Sequence, residues 1–311
     1  MIAIKDLVKD YDSTRAVDHL NLTIGKGEIF GLLGPNGAGK TTIILTLLGL
    51  SEPTSGSVTV NEWNATSEPI RVKKITGYLP DDVGFSENST GLQCLVYTAM
   101  LNGIPREIAI ESARELLEIV GLQDAADQKT KTYSKGMTQR LGLADVLIKE
   151  PQIMILDEPT IGIDPRGIHD FLDLIRKLSK EKGITVLLSS HLLHQVQKIC
   201  DRVGILVSGK LLAEGNVHDL ADKLFGARET SFTVVADPLT DGLIHKLEEI
   251  PSVTKVKKNG TGIIVTGSKV AAPHISQTVV QSGAKLFRIS GKEYGLDDIY
   301  QHYFEGGANH V

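Results

Sequence analysis

The sequence is poor in cysteine, with only Cys94 and Cys200 among its 311 residues. The two lie far apart in the chain. Neither belongs to a C-x-x-C pair or to a cysteine and histidine group with zinc-ligand spacing. This pattern argues against a disulfide scaffold and a structural zinc site, and it suits the reducing cytosol. We expect both cysteines to be small, buried apolar residues.

Positive charge is not in excess either. Lys and Arg number 33 against 38 Asp and Glu, which gives a net charge of -5 and an isoelectric point near 6.0. Proteins that bind nucleic acid broadly usually carry a dominant basic face. The charge balance therefore argues against nucleic acid as a partner, although it does not exclude a local basic patch.

Long apolar runs are missing as well. No window reaches the ~18 consecutive apolar residues that are needed to cross a bilayer. The chain starts with MIAIKDLVKDYD, which carries acidic residues where a signal peptide needs a positive region and an apolar stretch. We therefore predict a cytoplasmic protein that is not exported. Any connection with a membrane has to come through another chain.

The composition that remains, 41% hydrophobic and 23% charged residues, is that of a globular protein. The length corresponds to roughly two domains of ~150 residues each. Apolar runs of strand length alternate with helical patterns, and these runs are Gly27–Leu33, Gln152–Leu156 and Ile184–Ser189. Such alternation is typical of an α/β fold with buried strands. A mainly helical pattern over about 85–150 predicts a helical insert.

The pattern changes after Leu220. The elements predicted beyond it are a strand at 231–236, a helix at 239–250, a hairpin at 253–267 that turns at Asn259-Gly260, a helix at 271–282 and a strand at 284–289. That order, βαββαβ, is the ferredoxin-like pattern. We therefore predict one domain over residues 1–220 and a small α+β domain over 221–311, closed by a helix near 296–304.

A glycine-rich loop follows the first strand run and leads into a helical pattern at 41–50. Its residues fit the phosphate-loop pattern G-x-x-x-x-G-K-[ST], and they are Gly34, Pro35, Asn36, Gly37, Ala38, Gly39, Lys40 and Thr41. Glycines let backbone N–H groups surround phosphates, and the helix N-terminus favours anions. We expect Lys40 to reach the β- and γ-phosphates of a nucleotide and Thr41 to offer its hydroxyl to Mg²⁺. Eight matching positions disfavour the alternative, a glycine-rich turn without a ligand.

Two carboxylates end the second strand run, in the sequence ILDEP. Adjacent side chains of an extended chain point in different directions, so Asp157 and Glu158 can serve different purposes. Asp157 would hold Mg²⁺, directly or through water, and Glu158 would act as the general base for the attacking water. Alone, such a pair more often begins a loop or caps a helix. The phosphate loop upstream favours the catalytic interpretation.

His191 follows the third strand run, in the sequence SSHLL. Most of the nine histidines are expected at the surface, and a lone one would carry no information. This one lies just beyond a core strand, at the sheet edge where parallel α/β sheets bind ligands. We predict that it contacts the γ-phosphate and is catalytic together with Glu158.

These motifs, in this order, resemble those of the ATP-binding subunits of ABC transporters, and the resemblance covers residues 1 to about 220. YSKGM, Tyr133–Met137, is similar to the family's signature sequence LSGGQ. GYLPDD takes the place of the Q-loop, and Thr160–Asp164 is similar to the D-loop. His191 matches the switch histidine, and Tyr11 matches the aromatic residue that stacks on adenine.

The resemblance implies a P-loop NTPase fold: an ABC ATPase domain with a helical subdomain, which uses ATP and Mg²⁺ and hydrolyses ATP to drive transport. It also implies that two such domains pair head to tail, as a homodimer or with another ATPase domain. Each ATP then lies between the phosphate loop of one domain and the signature turn of the other. Within this chain the implied ATP contacts include Tyr11, Thr42, Ser134 and Gly136. The other implied partner is an integral membrane subunit, which places the chain at the cytoplasmic face of the membrane.

The chain departs from the family pattern at three places, and the mildest is Ile163 of the D-loop, a near-isosteric replacement for the usual leucine. Asp81 stands where the family has a glutamine, and an aspartate there can still meet Mg²⁺ while it adds negative charge beside the phosphates. Lys135 replaces a signature glycine, as in the drug and antibiotic export branch. LDDIYQHYF, Leu296–Phe304, is similar to a C-terminal segment of that branch. The resemblance thus points to an ABC-2 type exporter, and the ATPase of the transporter for nitrous oxide reductase maturation is a similar relative.

Other functions remain as alternatives. A soluble ABC ATPase that acts on ribosomes or DNA usually fuses two ATPase domains or inserts a long coiled coil, and neither pattern is present. A small-molecule kinase or GTPase would share the phosphate loop, but the chain has no N-K-x-D motif and YSKGM would then have no role. A regulatory subunit that does not hydrolyse ATP is disfavoured by intact Lys40, Asp157, Glu158 and His191.

Overall fold

The computed structural model describes residues 2–225, 230–260, 262–268, 270–291, 296, 298–300 and 302. The chain divides into two compact units, one that ends at Val217 and one that begins at His218. The described part of the first unit contains ten strands. They are β1 (Ile2–Tyr11), β2 (Thr14–Ile24), β3 (Ile29–Leu33), β4 (Ser55–Val60), β5 (Trp63–Asn64), β6 (Thr76–Leu79), β7 (Ile153–Asp157), β8 (Thr185–Ser190), β9 (Arg202–Val207) and β10 (Lys210–Gly215).

The described helices of the first unit connect these strands and cover their faces. They are α1 (Lys40–Leu47), α2 (Pro69–Ile75), α3 (Gly91–Leu101), α4 (Arg106–Ile119), α5 (Lys135–Leu147), α6 (Pro165–Lys182) and the short α7 (Leu193–Val196). α8 (Val217–Phe225) follows at the division between the units. α3, α4 and α5 contact one another, and they lie within the stretch at about 85–150 for which the sequence predicts a helical insert.

The central sheet has the strand order β10-β9-β3-β8-β7-β6. Its strands run parallel except β10, which pairs antiparallel with β9. Every residue of β3, β7 and β8 is buried. The three apolar runs of the sequence are therefore core strands, and their carboxyl ends meet at one edge, as expected for a parallel α/β sheet.

A second, antiparallel sheet has the order β2-β1-β4-β5. Its apolar side chains, such as Ile2, Leu20 and Val58, share one core with β3, β7 and the α1 residues Ile43 and Ile44. Helix α1, which carries the end of the phosphate loop, is thus held by both sheets. Burial of this kind contributes roughly 1.5–3 kcal/mol for each large aliphatic side chain.

Local signals explain the helix boundaries near the sheet edge. Asp164 caps α6 by accepting a hydrogen bond from the backbone N of Gly167, Pro165 occupies the first turn, and Gly183 ends the helix in the left-handed conformation. Helix α5 lies against the end of β6 at Gly142, where an added Cβ would come within 3.2 Å of the Val83 side chain. A glycine there allows the close approach.

After α8, the second unit contains a four-stranded sheet together with helices α9 and α10. In chain order the elements are β11 (Thr230–Asp237), α9 (Asp241–Glu248), β12 (Val253–Asn259), β13 (Gly262–Gly267), α10 (Ala271–Gln281) and β14 (Lys285–Gly291). The sheet order is β12-β13-β11-β14, with antiparallel neighbours throughout. This is the βαββαβ order that the sequence predicts. Residues 296, 298–300 and 302 are helical, and the rest of the predicted closing helix at 296–304 lies outside the described residues.

Candidate functional site

The phosphate loop lies between β3 and α1, where the sequence predicts it. Gly37 and Gly39 have φ of 80° and 104°, in the region that favours glycine, and a side chain at Gly39 would collide with the carbonyl of Ala16. Lys40 is the first residue of α1 and is buried. Its Nζ donates to the carbonyl oxygens of Gly34 at 2.8 Å and Pro35 at 3.2 Å. The loop therefore wraps around a buried ammonium group at the start of a helix, which is an arrangement suited to anions.

Asp157 and Thr41 are brought together from 116 residues apart. Asp157 is the last residue of β7, and its Oδ2 accepts a hydrogen bond of 3.1 Å from the Thr41 hydroxyl. Its Oδ1 accepts a second hydrogen bond from the Ser189 hydroxyl. Burial raises the pKa of Asp157, the bonds from Ser189 and Thr41 partly oppose that rise, and the charges of Asp81 and Glu158 add to it. A nearby cation would lower this pKa.

Glu158 leaves the strand in a strained conformation. Its φ is 47°, which is uncommon for a residue with a side chain and costs on the order of 1–3 kcal/mol. Its backbone N donates to Ser189 at both the carbonyl oxygen, 3.2 Å, and the hydroxyl, 3.0 Å. The two bonds hold the turn that separates the carboxylates of Asp157 and Glu158, as the prediction of different purposes for the two residues requires.

The Glu158 carboxylate lies between the imidazole of His191 and the ammonium group of Lys40. Its Oε2 is 2.9 Å from Nδ1 of His191, and its Oε1 is 3.2 Å from Nζ of Lys40. The pair with Lys40 has the distance of an ion pair, yet Oε1 is buried and accepts no hydrogen bond from the described residues. One oxygen is thus oriented by His191, while the other makes no hydrogen bond within the described ranges and faces the Lys40 charge, so it can accept a proton once that ammonium group moves away.

Ser189 was not found by sequence reasoning. It lies in β8 next to Asp157 in β7, with the two Cα atoms paired in the sheet register. The signal that could have pointed to it is weak: two serines, Ser189 and Ser190, at the end of an otherwise apolar strand. Both serines are buried, and Ser189 bonds both carboxylate residues.

Asp81 follows β6 and is exposed. Its Oδ1 accepts a hydrogen bond of 2.8 Å from the backbone N of Asp82, so the side chain folds onto its own loop. Its charge nevertheless contributes to the raised pKa of Asp157. Across the described ranges, no group of three or more His, Cys, Asp or Glu side chains could hold a metal ion.

Tyr11 ends β1 and is 44% exposed. The Lys9 ammonium lies 4.7 Å from the centre of its ring, and its hydroxyl is 3.3 Å from the Ser51 hydroxyl. In the described part of the chain, no hydrogen bond or ion pair joins Tyr11 to the phosphate loop. Its stacking on adenine stays a prediction.

The signature turn lies at the start of α5. Ser134 is exposed and caps α5, where its hydroxyl accepts a hydrogen bond of 3.2 Å from the backbone N of Met137. A Cβ placed on Gly136 would make an ordinary contact of 3.7 Å with the Ile163 side chain of the predicted D-loop. Among the described residues, neither Ser134 nor Gly136 bonds to Lys40 or Glu158. The start of α5 is therefore exposed to solvent at Ser134.

Comparison with known proteins gives one family and many relatives. The model of the ABC transporter family matches residues 17–161. The bacitracin transport ATP-binding protein BcrA of Bacillus licheniformis is 44% identical over 309 residues, which are 99% of this chain and 98% of that protein. The daunorubicin/doxorubicin resistance ATP-binding protein DrrA of Streptomyces peucetius is 39% identical over 72% of this chain and 67% of that protein.

Solved structures agree with the sequence relatives. An ATP-binding subunit of an ABC transporter superposes with a TM-score of 0.66 at 29% identity, over 73% of this chain and 94% of that chain. A dimeric ATP-binding cassette in a post-hydrolysis state, bound to ADP and phosphate, superposes with a TM-score of 0.64 at 25% identity, over 70% and 98%. Within the described residues, no helix has the length and apolar character that crossing a membrane requires.

Proposed function

The chain belongs to the ABC transporter family, and from this premise we propose the role of each site residue. It is an ATP-binding subunit that hydrolyses ATP. Two such subunits pair and work with a separate membrane subunit. Lys40 and the backbone of the phosphate loop, Gly34–Thr42, bind the ATP phosphates. Glu158 accepts the proton of the attacking water. His191 orients Glu158 and contacts the γ-phosphate.

The observation that carries this proposal is the environment of the Glu158 carboxylate. His191 lies 2.9 Å from Oε2, and Lys40 lies 3.2 Å from Oε1. A bound γ-phosphate would compete for Lys40, because phosphate oxygens are strong acceptors for an ammonium group. Once Lys40 turns to the phosphate, Oε1 is released to accept a hydrogen bond from water. The geometry thus links nucleotide binding to exposure of the base.

Mg²⁺ is the metal that the donor set fits. Thr41 and Asp157 offer a hydroxyl and a carboxylate oxygen that already lie 3.1 Å apart, and Mg²⁺ usually takes one or two such protein ligands together with phosphates and water. We propose these two residues as direct ligands and Asp81 as a ligand through water. When bound, the ion would neutralise charge on the β- and γ-phosphates.

Two further sets of nucleotide contacts complete the proposal, one to adenine and one to the γ-phosphate. Tyr11 stacks on adenine. Ser134 and Gly136 contact the γ-phosphate of ATP that is held by the partner of the pair, since they lie at an outward-facing helix start. The similarity to a dimeric cassette bound to ADP and phosphate supports this arrangement. We propose a homodimer as the simplest pair.

The relatives' names support an export function. They include bacitracin transport and daunorubicin/doxorubicin resistance proteins. We propose that the membrane subunit exports an antibiotic, and that this chain lies on the cytoplasmic face of the membrane. Exposed apolar residues of α3 and α4, Tyr97, Leu101 and Ile108, support docking of a membrane subunit on these two helices, which contact each other.

We propose that the domains correspond to 1–220 and 221–311, with the second as a ferredoxin-like accessory domain. The two compact units, divided at Val217 and His218, support this boundary. The second unit has its own core, with Val234, Leu247 and Ile275 among its buried residues.

The test is to isolate tagged Glu158→Gln protein from native membranes in the presence of ATP and to identify what accompanies it. We expect a polytopic membrane protein, because a subunit that cannot hydrolyse ATP should stay paired and attached. A matched control is Glu115→Gln, which removes the same charge from an exposed position on α4. Recovery with ribosomes or DNA would favour a non-transport ATPase instead, and recovery alone would contradict the proposal.

A further inference from the structure

Lys135 connects the signature turn to two other segments of the first unit. It is the first residue of α5, next to the capping Ser134. Its Nζ lies 3.4 Å from Oδ1 of Asp82, 53 residues earlier in the chain. Its Cγ would lie 2.9 Å from a Cβ placed on Gly162, so the aliphatic stem passes close over that residue. The ammonium group is therefore held at the start of the helix and to one side of it.

The position is unfavourable for a cation. The first turn of a helix favours negative charge, because its free N–H groups carry partial positive charge. The first turn of α5 has no acidic residue that would compensate for Lys135. Asp82 supplies a compensating charge from outside the helix. A residue that breaks a local rule in this way is often a functional one.

The ion pair between Lys135 and Asp82 is also easily broken by a competing anion. The side chain of Asp82 is 93% exposed and that of Lys135 is 36% exposed. Exposed ion pairs contribute little to stability, since water screens the charges and the side chains lose freedom. The contact is thus too weak to hold α5 in place by itself. A stronger anion that arrives at the helix start would replace Asp82.

We propose that Lys135 is an additional contact for the γ-phosphate of ATP held by the paired subunit, and that Asp82 is the counter-ion which this phosphate displaces. The inference rests on the proposed function of Ser134 and Gly136 in the pair. Lys135 lies between these two residues, and side chains of a helix point back toward its N-terminus. A hydrogen bond between an ammonium group and a phosphate is charge-assisted and strong.

The experiment measures dimer formation of the full chain against ATP concentration by sedimentation, at low and high salt. The Glu158→Gln chain serves as the parent, because slow hydrolysis allows equilibrium. We expect Lys135→Met to raise the ATP concentration for half-maximal pairing on the order of 10-fold, and to weaken the salt dependence. Asp82→Asn should lower that concentration by up to about 5-fold, since it frees the ammonium group from its resting partner.

Two control variants distinguish an effect of the Lys135 charge from an effect on folding. Lys135→Arg keeps the positive charge and should pair like the parent. Lys131→Met removes a charge from an exposed lysine just before α5 and should also pair like the parent. Circular dichroism on every variant shows whether the helices remain.

The outcomes distinguish the inference from the function on which it rests. A parent chain that stays monomeric with ATP contradicts the proposed trans contact of Ser134 and Gly136, and Lys135 with it. A parent that pairs while Lys135→Met pairs equally well contradicts the inference alone. Equal weakening of pairing by Lys135→Met and Asp82→Asn would also contradict the inference alone, because the two residues would then only position the turn.

Discussion

His191 lies with its Nδ1 2.9 Å from Oε2 of Glu158, so the two residues that the sequence marks as catalytic form one pair. The acid comes from the end of β7, and the histidine follows β8, its neighbour in the sheet. Because the two residues act as one unit, the effects of substituting them on kcat should not be independent.

Glu158→Gln should lower the kcat for ATP hydrolysis by roughly 10² to 10⁴, the usual effect of losing a general base. His191→Ala should lower kcat by about 10², because Glu158 could still accept a proton but would no longer be held in the productive position. The double variant should lose less rate than the product of the two single losses, because part of the effect of His191 passes through Glu158. Steady-state phosphate release checks this, and strictly additive losses would show that the residues act independently.

Ser189→Ala should lower kcat about 10-fold, because the hydroxyl bonds both Asp157 and the backbone N of Glu158. The Mg²⁺ concentration for half-maximal activity should also rise, since Asp157 loses one of the bonds that orient it. The matched control is Ser179→Ala, which removes a buried hydroxyl that donates to the Ile184 carbonyl at 2.7 Å. It should reduce stability without changing the Mg²⁺ requirement; an equal Mg²⁺ shift in both variants would contradict the assignment.

Gln139→Met should stabilise the protein. Gln139 in α5 is fully buried, and neither its amide nitrogen nor its oxygen has a hydrogen-bond partner among the described residues. Removing an unpaired buried polar group while keeping a similar volume should raise the free energy of unfolding by about 1–3 kcal/mol. Urea unfolding measures the change, with the exposed Gln123→Met as the control. A loss of stability would mean that the amide is satisfied in solution.

Asp145 should make stability depend on pH. Burial raises the pKa of this α5 carboxyl, while the side chain of Thr98 and the charge of Lys149 partly lower it. The folded state then binds the proton more tightly than the unfolded state. Stability should therefore fall as the pH rises from about 4, the ordinary value for aspartate, through the raised value in the folded protein.

Asp145→Asn removes that ionisation. The variant should be more stable than the parent at neutral pH, and the difference should shrink as the pH approaches about 4. Thermal unfolding at a series of pH values checks this, with the exposed Asp124→Asn as a control that should show no such trend. A difference that grows toward acid pH would reverse the sign and contradict the assignment.

The element pattern was largely readable from the sequence. The runs at 27–33, 152–156 and 184–189 are the buried strands β3, β7 and β8. The residues at 167–180, between the second and third of these runs, have helical spacing in the sequence and lie within α6. Boundaries differed by a few residues where capping decides them. Asp164, Pro165 and Gly183 extend α6 beyond its apolar pattern.

The sequence by itself determined the elements and the motifs, because periodic burial, glycine conformation and helix capping act over a few neighbouring residues. The phosphate loop and the acidic pair are local in this sense. Only the tertiary structure decided which distant side chains meet. Ser189 reaches Asp157 through the register of β7 and β8, and Lys135 reaches Asp82 because α5 lies against the end of β6. Such contacts depend on packing between elements, and no local pattern in the chain encodes them.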